Sequence, residues 1–179
     1  MANYGHITRN TNPSAYAGGY KNVFLFAPRT DFTAIQEPVV GETPDLGETL
    51  SIATAHTFPV GKGFFEWACK HHTVTLKGSS VGDDGAREIE WSCEFVVLGD
   101  SASTQEQMQR TLNDDIICLI KEADCLSDDS YVQLGDECVS PSFTVEFDGK
   151  TTKEGKKEYK VTITCKKKFF YSGAVTKVA

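Results

Sequence analysis

Through most of residues 87–98, and without a fault over 88–95, apolar and polar side chains alternate. Ile89, Trp91, Cys93, Phe95 and Val97 share one parity, while Glu88, Glu90, Ser92 and Glu94 share the other. Successive side chains leave a strand on opposite sides, so the stretch predicts one face in a core and one in water. Gly99-Asp100 ends it. A chain holding such a strand must bring a second apolar layer to cover it.

The next stretch offers that layer. Ser103-Thr-Gln-Glu106 has the S-x-x-E form of a capping box. Met108, Leu112, Ile116, Leu119 and Ala123 follow at steps of three or four. This predicts a single helix over residues 103–123 whose apolar stripe faces the sheet. On that reading Leu112→Asp unfolds the domain.

Other strands fall around this unit. Residues 22–27 hold the continuous apolar run Val23, Phe24, Leu25, Phe26. Such a run fits a strand covered on both faces, or covered on one face by a neighbouring subunit. Residues 29–49 carry Pro38, Gly41, Pro44 and Gly47 among acidic residues and predict a long loop, ordered only against a neighbour. Residues 50–57 read as a short strand. Residues 64–77 read as a longer one whose parity changes near Lys70-His71-His72, where a bulge would restore one inward face. Gly78 to Gly85 leads into the alternating strand, which predicts a hairpin. Residues 131–134, 143–147 and 158–171 complete the strand set. The expected fold is mainly β, a sandwich or barrel with one long flanking helix, α+β by strict count. Residues 1–20, small and polar, predict a flexible N-terminal arm ahead of a single β-rich domain at 21–179.

A chain of 179 residues, 40% apolar and 24% charged, suits one globular domain. No apolar run approaches the ~20 residues that span a bilayer. The first residues show neither a basic start nor an apolar h-region, so the expectation is a cytosolic protein with six reduced cysteines. Charge is unevenly spread along the chain. Residues 81–148 carry three Lys/Arg against seventeen Asp/Glu, and residues 149–179 nine Lys against two Glu. Either the two signs meet between subunits stacked head to tail, or they neutralise each other within one subunit.

Catalytic and ligand patterns are weak. Cys69, His71 and His72 invite a metal, but zinc sites use two close pairs and no C-x₂-C occurs. Asp83-Asp84, Asp114-Asp115 and Asp128-Asp129 are adjacent pairs that point apart in turns, unlike catalytic carboxylates held across a pocket. No G-x-S-x-G elbow occurs, and Gly61-x-Gly63 opens no helix. Lys166, Lys167 and Lys168 precede Phe169, Phe170 and Tyr171, a mixture that binds nucleic acid in some proteins. Strand alternation splits these lysines between faces, and the whole chain is acidic. The reading is a non-enzyme without cofactor or metal.

Gly99-Asp100-Ser101, the helix read at 103–124, Tyr131-Val-Gln-Leu-Gly135 and the closing strand at 158–171 give a layout over residues 20–171. That layout resembles the tail tube (major tail) proteins of tailed bacteriophages and the inner tubes of contractile injection machines. The resemblance implies a structural virion protein that forms hexameric rings, stacked as a tube through which DNA passes without specific binding. It implies partners in further copies and other tail proteins, no membrane, and a place in the virion tail after assembly in the host cytoplasm. Candidate self-association residues are Val23, Phe24, Leu25, Phe26, Lys166, Lys167 and Lys168. The rival readings are another virion component (tail terminator, head–tail adaptor or decoration protein) and a β-sandwich module that binds carbohydrate or protein.

Overall fold

The computed structural model describes residues 19–42, 45–123 and 130–178. The arm expected at 1–20 lies almost wholly outside these residues. Along the described chain the strands are β1 (Tyr20–Pro28), β2 (Ser51–Ile52), β3 (Phe65–Ala68), β4 (Thr75–Val81) and β5 (Glu88–Leu98). The helix α1 (Ala102–Thr111) follows, then β6 (Ile116–Glu122), β7 (Tyr131–Leu134), β8 (Ser142–Asp148), β9 (Glu158–Cys165) and β10 (Lys168–Tyr171). The strands form a six-stranded sheet, ordered β2-β10-β7-β6-β1-β3, and a four-stranded sheet, ordered β4-β5-β9-β8. The described residues are mainly β with one α-helix, and the two sheets make a sandwich.

The alternation at 87–98 explains how the sheets meet. Cys93 and Phe95 on β5 are buried and stand in register with Ile163 and Val161 on β9. The expected hairpin is present, with β4 and β5 paired from Thr75↔Glu94 to Val81↔Glu88. Opposite them, β1 contributes Phe24 and Phe26, and the Phe24 and Phe95 rings stack across the layer at 4.5 Å. Burying such a ring contributes roughly 1.5–3 kcal/mol, so this inter-sheet cluster stabilises the fold strongly.

A second cluster lies on the other face of the larger sheet. Leu25 and Ala27 of β1 join Leu119 of β6, Tyr131 of β7, and Phe169 and Tyr171 of β10. Phe32, Phe58, Phe64 and Val175, from the segments before β3 and after β10, close over them. This is why residues 23–27 read as an unbroken apolar run: β1 is covered on both faces within one subunit.

Five expectations change. The helix ends at Thr111, and Ile116 and Leu119 belong to β6, a central strand of the larger sheet. Residues 116–120 are all apolar and all buried, so a helical stripe can be drawn through what is a strand covered on both faces. The cap is Ser101, whose Oγ accepts from the Thr104 N–H at 3.1 Å, while Glu106 pairs with Arg110 at 2.6 Å. The stretch 64–77 is two strands in different sheets; residues 69–74 cross between them, and His72 adopts φ 60°. The stretch 158–171 divides likewise, β9 in the smaller sheet and β10 in the larger, with Lys166-Lys167 at the crossing. Strand structure at 50–57 is confined to Ser51–Ile52, because the chain then turns to cover the second cluster.

Candidate assembly surfaces

Sheet edges come first, since unpaired backbone groups there accept another strand. β2 is two residues long. β3 is flanked by the chain's last described segment, where Phe64 N–H donates to Thr176 O at 2.8 Å and Val178 N–H to Phe64 O at 3.1 Å. β4 and β8, seven residues each, bound the smaller sheet and pair on one side only.

Among the described residues Val60, Phe65, Ile89, Leu98 and Phe170 are exposed singly, and six further exposed apolar side chains fall in two places. Val39 (82% exposed), Val40, Leu46 and Leu50 lie in the segment between β1 and β2. The other place is the end of the sandwich beside α1, where Leu112 and Phe147 are 44% and 50% exposed. There Met108, Leu112, Val145, Phe147 and Tyr159 line a cleft of about 440 Å³ between the helix and the β8 edge. Val39, Val40 and Leu46 fall inside the loop predicted at 29–49 but were not singled out in the sequence. Their signal was available: apolar side chains in a stretch whose Pro, Gly and acids form no core element.

The 29–49 segment is not uniform. Thr33 N–H donates to Thr57 O at 2.8 Å, Thr57 N–H to Ala34 O at 3.1 Å, and the Phe32 ring packs on Phe58 at 4.4 Å. Residues 32–36 are therefore a strap across the second cluster, while residues 37–42 and 45–50 are mostly exposed.

The predicted self-association residues separate into two groups. Phe24, Leu25 and Phe26 are buried within the subunit's own clusters and Val23 packs against one, so the 23–26 run is a core strand and offers no docking surface. The lysines are outside. Lys166 pairs with Glu88 at 3.2 Å. Lys167 lines a shallow groove with Pro38 and Val40. Lys168 places its ammonium 4.2 Å from the Trp91 ring centre and 4.5 Å from that of Phe170, and burial pushes its pKa down. Trp91 thus already carries a cation, and Trp67 is buried, donating its indole N–H to Gln107 Oε1 at 3.0 Å.

Charge segregated along the chain is interleaved in space. Because β5 sits beside β9, Lys160 reaches Glu94 at 3.7 Å and Lys166 reaches Glu88. Lys157 reaches Asp100 at 2.6 Å, and Lys150 reaches Asp148 and Glu158 at 2.5 and 3.1 Å. The Lys150 pairing holds both carboxyls below their ordinary range through hydrogen bonds, with Lys70 the larger cause for Glu158. Lys177 pairs with Glu66. Five of the nine lysines in 149–179 are therefore matched inside the subunit, which favours the intramolecular reading of the charge pattern.

The chemical candidates do not converge. Asn22 Nδ2 donates to His71 Nδ1 at 2.6 Å, and the His72 N–H donates to Asn22 Oδ1 at 3.1 Å, so these residues brace the 70–73 turn. Among the described residues no three His, Cys, Asp or Glu side chains stand together as a metal site. A cleft of about 550 Å³ between β1, β3 and α1 holds Asp31, Lys62, Arg110, Asp114 and Asp115, and its lining has no His, Cys or Ser. Lys62 and Asp31 pair across it at 2.9 Å. No described helix is long and apolar enough to cross a membrane. Asp128-Asp129 lie outside the described residues.

The class these features define is a two-sheet β-sandwich with open strand edges and exposed apolar segments. Comparison with protein-family models, curated proteins and solved structures finds no match to this chain.

Proposed function

We propose that this protein is a structural virion component that assembles with itself, as the tail tube proteins it resembles do. The reading is of hexameric rings stacked into a tube that DNA traverses without specific contacts, joined to other tail proteins. What carries it is the set of exposed apolar side chains in residues 37–42 and 45–50. Val39, Val40, Leu46 and Leu50 are 46–82% exposed, and exposed apolar side chains gathered in one stretch of chain suit a surface that a partner covers. The one-sided strands β4 and β8 add backbone edges suited to a neighbour's strand. A tail terminator, head–tail adaptor or decoration protein has the same needs and is the second reading within this class. A carbohydrate-binding module is less well supported, since a sugar platform needs open aromatic faces and Trp91 bears Lys168.

Size-exclusion chromatography followed by electron microscopy of the purified full chain tests this. Rings or tubes are the expected result. Discrete caps or single rings that never stack favour the terminator or adaptor. A monomer at high concentration that binds glycans overturns self-assembly.

A further inference from the structure

Among the described residues His56 is the one histidine that the fold buries, at 3% exposed. It lies under the 32–36 strap, with Tyr171 stacked on its ring at 4.8 Å and Phe32 edge-on at 5.5 Å. Its hydrogen bonds fix where its proton sits. Gln133, fully buried on β7, donates its Nε2 to Gly135 O at 2.9 Å, which turns Oε1 toward His56. His56 Nε2 lies 2.8 Å from that Oε1 and must donate to it. Nδ1 lies 2.9 Å from the backbone N–H of Gln36, which can only donate. The ring is therefore neutral, protonated on Nε2, with the Nδ1 lone pair holding the strap.

We propose that His56 is an acid-sensitive latch: a proton taken up at Nδ1 turns an acceptor into a donor facing the Gln36 N–H and releases the 32–36 strap from the larger sheet. Among the described residues, the elements packed on the ring present no charged group to compensate the charge. The strap presents Phe32 and the Gln36 backbone, β7 presents Gln133, and the residues preceding β3 present Phe64. From β10 comes the Tyr171 phenol, which accepts the His56 backbone N–H at 3.2 Å and donates to Ala174 O at 3.1 Å. Glu37, Asp136 and Lys167 line the groove on the solvent side of Gln36. Burial pushes the His56 pKa below its ordinary value, with the Gln133 bond opposing in part. The sign follows: the closed strap holds neutral His56, and the open one takes up a proton once pH falls below the ordinary histidine value of about 6.5. Stability of the closed state is complete above that value and declines below it. This inference does not depend on the assembly reading.

Amide exchange at Gln36 and Thr57, followed by NMR on the full chain from about pH 7.5 to about pH 5, reads the latch. The opening constant should rise by up to about tenfold per pH unit below about 6.5, one proton being taken up on opening. Exchange at these two amides then stays nearly level, while amides of the smaller sheet that open by local fluctuation, without freeing His56, slow with the intrinsic rate. Parallel slowing of all of them overturns the proposal. Imidazole 15N shifts at neutral pH, in the unmutated chain, should place the proton on Nε2, and a proton on Nδ1 overturns it equally. His56→Gln offers an acceptor and a donor without titrating and should abolish the pH response. Acid opening that persists in that variant also defeats the idea.

Discussion

Leu112 and Ile117 are five positions apart and have opposite fates. Leu112 caps α1 half exposed, while Ile117 is fully buried in β6. Ile117→Asp should abolish folding, because an unpaired buried charge costs several kcal/mol. Leu112→Asp should shift stability by no more than about 0.5 kcal/mol, the reverse of what a continuous helix requires. Thermal melts of the two variants decide it, and an unfolded Leu112→Asp would return the stripe to the core. The cysteines give a second measurement. Burial pushes Cys69 and Cys93 up to about 12 and raises Cys118 and Cys165 as well. A thiol with a raised pKa stays protonated and unreactive at mild alkaline pH. Iodoacetamide near pH 8 should therefore modify exposed Cys138 in the native protein and reach Cys69, Cys93, Cys118 and Cys165 only after denaturation, as mass spectrometry would show. Reducing agent should leave the melting temperature unchanged.

At the scale of elements, α1 is short and depends on its first turn. Ser101→Ala removes the side chain that accepts the Thr104 N–H and should cost about 1 kcal/mol, measurable by urea denaturation. Ser103→Ala should cost less, since Ser103 is not the cap. The contrast shows which parts of the fold the residues made legible. β5 was readable because its alternation admits only one face inward. β6 was not, because five consecutive buried residues satisfy a helical stripe as well as a strand. The discriminating signals were β-branched Ile116, Ile117 and Ile120, and the Asn113-Asp114-Asp115 break before them. Parity also cannot register a change of sheet. Tyr159, Val161, Ile163, Cys165, Phe169 and Tyr171 alternate as though in one strand, yet the first four fill the inter-sheet core and the last two the outer cluster. In the 29–49 segment, composition signalled a loop but not the division at Gln36. Limited proteolysis of the isolated subunit should cut within 38–47 and spare 29–36. Early cleavage inside the strap would mean that its bonds to Thr57 do not hold it.

For the whole molecule, interleaved charge changes the expected response to salt. The triple variant Lys166→Glu, Lys167→Glu, Lys168→Glu would break the Glu88 pair and the Trp91 contact within the subunit, so its failure to assemble would be ambiguous. Val39→Asp with Leu46→Asp is the cleaner variant. Both side chains are exposed, so it should keep the parent melting temperature and lose rings or tubes by electron microscopy. Assembly equal to the parent would remove residues 37–42 and 45–50 from the contact. The order of the strands carries a consequence in time. β9 lies between β5 and β8, and β10 between β2 and β7, so each sheet receives an interior strand from the last quarter of the chain. While a ribosome is still adding residues 158–171, β2 and β8 lack their sheet partner, and β5 and β7 are paired on one side only. Such nascent edges are prone to join the wrong chain, and closure through distant partners is slow. Synthesis thus leaves an interval in which a holding chaperone would have most to protect, and the interval ends for both sheets with the emergence of one short stretch of polypeptide.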